Sequence, residues 1–187
     1  MRMLGCALLA GALLIAPLAR ADQAADARKT QLDRLFKALQ AAPDETVAAV
    51  LERRIRMLWT EQATPAVVLL LARADRELAA SDFDEALQDY DAVLVLQPDF
   101  AEGYDHRAAA RAAVGDTNGA VRDIEAALAR DPRDFAAWQD LSRIAEQQGN
   151  WSGALKAWQR AMDIDPRTPG GMERLDRLQK KVEGEST

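Results

Sequence analysis

Residues 101–134 read AEGYDHRAAARAAVGDTNGAVRDIEAALARDPRD, and the blocks of equal length on either side of them have the same arrangement. Each block ends close to a proline, and Pro98, Pro132 and Pro166 are evenly spaced. A fixed period of about 34 residues is typical of solenoids built from repeated helix pairs. Inside the block, Gly115-Asp116 separates two helix-forming segments. The sequence therefore predicts two antiparallel helices in every block.

The composition also favours an all-α globular chain. Of the 187 residues, 49% are hydrophobic and 29% are charged, which is the balance of a globular protein rather than a disordered one. Aromatic residues make up only 5%, and alanine, the strongest helix former, supplies much of the apolar share. The length is sufficient for one domain with a buried core.

Residues 1–21 have the pattern of a secretory signal peptide. Arg2 precedes an uncharged apolar run from Leu4 to Leu18, and Ala19-Arg20-Ala21 provides small residues where a signal peptidase cleaves. We therefore expect residues 1–21 to be cleaved and the mature chain to be exported to the periplasm. The alternative is an uncleaved membrane anchor, but the apolar run is short for a span of ~20 residues.

Charge and cysteine usage narrow the range of partners and chemistry. The chain has 24 basic and 30 acidic residues and a net charge of −6 at pH 7, without a basic cluster. Such a chain is a poor match for nucleic acid or an anionic lipid surface, and we expect no stable membrane insertion after cleavage. The only cysteine, Cys6, lies in the expected signal peptide, so the mature chain is predicted to have no disulfide and no cysteine metal site.

The apolar pattern divides the rest of the chain into three parts. Residues 22–66 are predicted to form a helical hairpin that does not fit the spacing of the repeats. The three repeats are 67–100, 101–134 and 135–168. Residues 169–187 contain a charged helix with one narrow apolar stripe, followed by a tail. Because the end units of a solenoid lack a neighbour, we expect the hairpin and the last helix to cap its two ends.

On the scale of this period the blocks resemble the tetratricopeptide repeat family. In the third block the matching residues are Trp138, Leu141, Ser142, Ala145, Ala154, Trp158, Ala161 and Pro166. Arg107 and Arg111 in the second block and Arg73 and Glu77 in the first depart from the family pattern. The resemblance implies a right-handed α-solenoid. The chain also resembles small periplasmic repeat proteins of alphaproteobacterial type, which implies a role in cell-envelope maintenance or assembly.

In this family the first helix of each repeat lines a concave face, and the resemblance implies which residues meet a partner there. The candidate partner-binding residues are Asp75, Glu102, Asp105, Ala109, Ala112, Ala113, Gln139, Arg143 and Glu146. These residues, called the groove face below, are acidic around a centre of small side chains, which favours a peptide or helix of basic character. The alternatives are a solvated face and coverage by the N-terminal hairpin, which Val68, Leu71 and Leu78 favour near the first repeat.

One known mechanism of the family, the clamp that holds the C-terminal carboxylates of a chaperone, is not expected here. The places of its basic and amide side chains are occupied by Leu71, Asp75, His106, Ala136 and Asp140. None of them matches, and the two acids would repel a carboxylate.

The sequence predicts a scaffold rather than an enzyme, with no cofactor and no metal. It has no glycine-rich phosphate loop, metal-spaced cluster or catalytic triad, and the single histidine, His106, has no nucleophile or second ligand beside it in the sequence. We expect an exported module that binds a peptide or helix of a partner protein on its concave face. The alternative is a structural subunit of a larger envelope complex that docks by its outer face or its end helix.

Overall fold

The computed structural model describes the backbone of residues 15–185 and the side chains of residues 23–184, so most of the predicted signal peptide lies outside the described residues. Within residues 15–185 the chain forms α-helices and no strands. The helices are α1 (Ile15–Gln40), α2 (Glu45–Thr60), α3 (Pro65–Ala80), α4 (Phe83–Leu96), α5 (Ala101–Ala113), α6 (Thr117–Arg130), α7 (Phe135–Gln147), α8 (Trp151–Ile164) and α9 (Gly171–Glu185). No helix in this part of the chain is long and apolar enough to cross a membrane.

The central six helices form three antiparallel pairs, α3–α4, α5–α6 and α7–α8, and α9 packs against α8. The pairs fall within residues 67–168, except that α3 begins two residues earlier because Thr64 caps it and Pro65 occupies its first turn. The predicted all-α solenoid of helix pairs is confirmed.

The turn inside each repeat contains a left-handed residue, which in the second and third repeats is followed by a capping side chain. Gly115 and Gly149 have φ values of 81° and 73°, a conformation that glycine adopts without strain. Asp116 and Asn150 then accept a hydrogen bond from the backbone N–H three residues later, at 2.9 Å in both cases. In the first repeat Ser81 takes the left-handed place with φ 67°.

Neighbouring pairs stack through the third and tenth places of each repeat period, which lie on the first helix. The residues at these places are buried in α5, α7 and α9: Gly103 and Ala110, Ala137 and Ile144, Gly171 and Leu178. A Cβ atom on Gly103 would lie 2.9 Å from Leu94 Cδ2 of α4, so a larger residue would push the two helices apart. Because α9 stacks in the same way, it covers the end of the third pair.

Three arginines that depart from the family pattern form ion pairs with buried aspartates inside their repeats. Arg107 donates two hydrogen bonds to Asp123, at 2.9 and 2.7 Å, and the Asp123 residue is only 3% exposed. Arg111 also reaches Asp123, at 2.8 Å. Arg73 and Asp89 make the same bidentate contact in the first repeat. The departures therefore have a packing role, because each arginine neutralises a buried aspartate.

The third repeat has Leu141 and Ala157 at the two places that form these pairs. We predict that Asp123→Ala lowers the free energy of unfolding by about 3 kcal/mol, because the half-buried Arg107 loses its main partner. The double variant Arg107→Leu/Asp123→Ala copies the third repeat and is expected to recover most of the loss. Urea denaturation of the three proteins tests this, and equal destabilisation of the single and double variants would contradict it.

The N-terminal hairpin, α1–α2, does not cap the first repeat, and this sequence prediction is wrong. Its apolar core packs instead against Phe135 at the start of α7. Trp59 of α2 donates a hydrogen bond to Asp131 at 3.0 Å, and Arg133 donates one to Asp33 of α1 at 2.6 Å. The hairpin therefore lies along the loops that join the repeats, beside the second and third repeats.

The stacking places of α3 are consequently open. Leu69 is 73% exposed and Arg76 is also exposed, whereas the matching residues of the later first helices are buried. Leu71 and Leu78, whose apolar character favoured coverage by the hairpin as one alternative, belong to the internal core of the first repeat, and Val68 remains 42% exposed. Among the described residues, the apolar core of the hairpin includes none of these three side chains.

Candidate partner-binding face

The predicted groove residues lie on the first helices α3, α5 and α7. In the middle helix Ala109 and Ala113 are exposed and Ala112 is half-buried, so this part of the face presents a shallow surface of small side chains. Backbones and side chains of a partner can approach such a surface closely. Several charged residues on either side of this surface make hydrogen bonds or ion pairs with other helices, which the sequence did not predict.

Asp75 is committed to a contact between the first two repeats. Its Oδ1 accepts hydrogen bonds from the Tyr90 hydroxyl at 2.7 Å and from His106 Nδ1 at 2.8 Å. Burial lowers the pKa of His106, but the hydrogen bond and the charge of Asp75 more than offset this and leave the pKa raised. His106 is therefore a bridging residue that orients the Asp75 carboxylate.

Asp105 and Asp134 form a carboxyl pair between α5 and α7. Asp134 is 2% exposed and caps α7 by accepting a hydrogen bond from the Ala137 N–H at 3.0 Å. Burial and the neighbouring charge of Asp134 raise the pKa of Asp105 far above its usual range, and burial raises the pKa of Asp134 as well. We therefore expect the pair to retain one proton in the folded protein. The Asp105 Oδ1 atom is buried and has no hydrogen-bond partner among the described residues.

Glu102 lies at the entrance to this pair. Burial, followed by the charge of Asp134, raises the pKa of Glu102 to about 7. The opposing influences are the charges of His106 and Arg56 and a hydrogen bond with Thr60, and Arg56 and Thr60 belong to α2. A residue predicted to meet a partner is thus half-buried against the hairpin.

The α7 residues of the groove face have internal contacts of their own. Glu146 accepts hydrogen bonds from Arg174 of α9 at 2.9 and 2.5 Å, so it serves to attach the last helix. Arg143 is exposed and pairs with Asp140 at 2.8 Å, and Gln139 Nε2 lies 3.4 Å from the Thr168 hydroxyl. Of these residues only Arg143 presents a charge that a partner can reach without breaking a contact between helices.

Sequence reasoning missed the groups that come from other elements. Asp134 is the N-cap of α7, and it is too far from Asp105 along the chain to give a local signal. Arg56 and Thr60 reach the face from a hairpin whose position could not be inferred from the period. No group of three or more His, Cys, Asp or Glu side chains within residues 23–184 has the geometry to hold a metal ion.

We predict that Asp105→Asn stabilises the protein at alkaline pH. Unfolded aspartate loses its proton near pH 4, whereas folded Asp105 keeps it, so the folded state binds more protons and stability falls as the pH rises above about 4. The asparagine removes this loss and can still donate to Asp134. Denaturation near pH 8 should show a gain of more than about 1 kcal/mol, and denaturation near pH 4 little change. A loss of stability near pH 8 would refute the assignment of the proton.

The three helix pairs form an α-solenoid, and the side chains of its first helices lie along one face. Residues 111–170 match the family model described as tetratricopeptide repeat. This match covers part of the chain, and it confirms the resemblance to that family inferred from the sequence. A TPR repeat-containing protein of Rhizobium etli is 31% identical over 85 residues, which are 46% of this chain and 42% of that protein. The match thus spans less than half the length of this relative.

Solved structures agree with this assignment. The TPR domain of Sgt2 from Aspergillus fumigatus is 25% identical, with a TM-score of 0.60 over 66% of this chain and 83% of that domain. The first TPR of Spaghetti (RPAP3), bound to the HSP90 peptide SRMEEVD, is 16% identical, with a TM-score of 0.58 over 62% of this chain and 92% of that one. At this identity the second likeness concerns the fold alone.

Proposed function

We propose that this protein is a non-enzymatic scaffold that binds a basic peptide or helix of a partner protein on its groove face. The observation that carries the proposal is the buried Asp105 Oδ1 atom, which has no hydrogen-bond partner among the described residues. A buried polar atom without a partner costs free energy that a ligand donor can recover. A lysine or arginine side chain is such a donor and also brings the missing positive charge.

A cation at this place changes the protonation of the acids. A lysine beside Asp105 would lower the pKa of its carboxyl group, because an opposite charge within a few ångströms favours the ionised carboxylate. Asp105 would then release its proton. The same holds for Glu102, whose pKa of about 7 leaves it partly protonated in neutral solution. Binding of a basic partner is therefore coupled to the release of protons from the groove.

The charge of the groove distinguishes this chain from the peptide-binding relative of known structure. The HSP90 peptide in the Spaghetti complex, SRMEEVD, contains three acidic residues. Here the same class of fold carries Glu102 and Asp105 on its inner face, with Asp134 behind them. The acids favour a ligand of opposite charge.

The charged groups that face the site come from four helices. They are Arg56 from α2, Asp75 from α3, Glu102, Asp105 and His106 from α5, and Asp134 and Asp140 around α7. One of them, Glu102, has a pKa of about 7 and changes charge near neutral pH. As the pH rises from about 6 to about 8, Glu102 becomes negative, which makes the groove more negative.

We predict that a fluorescein-labelled lysine–alanine peptide binds this protein more tightly near pH 8 than near pH 6. Fluorescence anisotropy measures the affinity, and a glutamate–alanine peptide of the same length is the control. Glu102→Gln is expected to remove most of the pH dependence because it removes the carboxyl group that titrates in this range. No binding of the basic peptide at either pH, or equal binding of the acidic control, would refute the proposed ligand class.

We further propose that the protein acts in the periplasm, in cell-envelope maintenance or assembly. The support comes from the signal-like pattern of residues 1–21.

Fractionation of cells tests the export. We predict that the periplasmic fraction contains the protein without residues 1–21. Ala21→Asp places a charged residue next to the cleavage site and is expected to accumulate the unprocessed form, because a signal peptidase requires a small residue there. Full-length protein in the cytoplasmic fraction would overturn this part of the proposal.

A second candidate function is that of a subunit in a larger envelope complex, docked by its outer face or an end helix. It is favoured by the open stacking places of α3 and by Met172 at the start of α9, which is 64% exposed. Cross-links concentrated on α3 or α9, rather than on the groove face, would support this candidate over the first.

A further inference from the structure

The α1–α2 hairpin is attached to the loops that follow the second helices of the second and third repeats. Trp59 Nε1 donates to Asp131 at 3.0 Å, and Arg167 Nε donates to the Ala42 carbonyl at 3.0 Å. The segment that follows α2 is held at the end of the first repeat, where Gln97 Nε2 donates to the Gln62 carbonyl at 2.9 Å. Because it is fixed along these loops, we call the hairpin the strap.

The strap also enters the groove face. The guanidinium of Arg56 lies 5.3 Å from the ring centroid of Phe135 at the start of α7 and pairs with Glu52 on its own helix at 2.9 Å. Trp59 and Gln62, at the end of the hairpin, line one cavity together with Glu102 and Asp134 of the repeats, and the charge of Arg56 acts on Glu102. The C-terminal part of α2 thus lies beside the first acid of the groove.

The charge of the strap is complementary to that of the repeats. Residues 23–62 contain seven basic and six acidic residues, whereas residues 63–187 contain 15 basic and 23 acidic residues. The attraction between the two parts is of the same kind that a basic partner would experience.

We propose that the strap is an internal competitor of the partner: it occupies the edge of the groove with Arg56 and must move aside before a basic ligand can reach Glu102 and Phe135. This inference rests on the proposed function, because it concerns the same groove and the same ligand class. The partner's cation replaces Arg56 beside Glu102.

The packing of the strap allows it to move as a unit. Its buried residues lie mainly on its own two helices, among them Phe36, Leu39, Ile55 and Trp59, and the repeats contribute only Phe135 to the buried part of this cluster. The hairpin therefore keeps most of its core when it leaves the loops, and the repeats keep theirs.

The outer side of the strap is held by an exposed ion pair. Asp33 and Arg133 are 2.6 Å apart, with side chains that are 54% and 39% exposed. Arg133 also lies over the ring of Phe36, 4.4 Å from its centroid. A pair of this kind is weak and reversible, which suits a contact that opens on binding. It lies outside the groove face, so it can be altered without touching the groove residues.

The test is a charge swap across this pair. Asp33→Arg places two cations together and should loosen the strap, and Asp33→Arg/Arg133→Asp restores the attraction. We expect Asp33→Arg to bind the lysine–alanine peptide roughly two- to fivefold more tightly than the unaltered protein, and the double variant to return to the original affinity. The direction is informative, because an added positive charge alone would weaken binding to a basic peptide.

Hydrogen exchange provides the second readout. Binding of the lysine–alanine peptide should increase amide exchange in α1 and α2 and decrease it in α5, because the strap leaves while the groove is covered. Protection of α2 by the peptide would overturn the inference, as would unchanged affinity of Asp33→Arg together with faster exchange of its strap.

The two proposals fail in different ways. If no variant binds the basic peptide, including one with a loosened strap, then the proposed function is wrong and the strap has no ligand to exclude. If the unaltered protein binds the peptide and Glu102→Gln weakens that binding, but loosening the strap has no effect, then the groove assignment stands and only the role of the strap is refuted.

Discussion

The close stacking of each first helix against the preceding second helix is the contact on which the rest of the structure depends. It requires small or compact side chains at two places, and Gly103 with Leu94 beside it shows how little space remains. This contact places Asp75 within reach of His106 and Asp105 within reach of Asp134, although the members of each pair lie on different helices and are distant in sequence. The chemistry of the groove is thus a product of helix spacing.

A comparison of α2 with α4, one repeat period later, explains why the N-terminal hairpin does not join this stack. The inward-facing residues of α4 include Ala86, Tyr90 and Val93, and one period before them α2 has Glu52, Arg56 and Trp59. Stacked in register, α2 would bury a carboxylate and a guanidinium, at considerable cost. Its apolar stripe is displaced by one residue, to Leu51, Ile55 and Leu58, so the helix turns a different side to the repeats.

The sequence predicted features that repeat and missed those that join one repeat to another. The helix pairs, their turns and the last helix follow from period, glycines and apolar faces. The ion pairs with Asp89 and Asp123 could have been predicted from the sequence. Arginine at the seventh place of the first two repeats is accompanied by aspartate 16 residues later, and the third repeat has neither. The carboxyl pair of Asp105 and Asp134 could not be predicted from the sequence, because neither aspartate is unusual in its own helix. Only the packing of the two helices raises the pKa of Asp105.

A buried carboxyl oxygen without a hydrogen-bond partner reduces stability, and a more stable solenoid would place an asparagine or an apolar residue at Asp105. The chain has this acid beside the small side chains of α5, and Arg56 approaches from a hairpin that packs mainly on itself. Arg56 acts on Glu102, while the neighbouring Asp105 Oδ1 stays unpaired among the described residues. In the described part of the free protein, this carboxyl oxygen therefore lacks a hydrogen bond that it could accept. A ligand that supplies the donor gains affinity from that hydrogen bond.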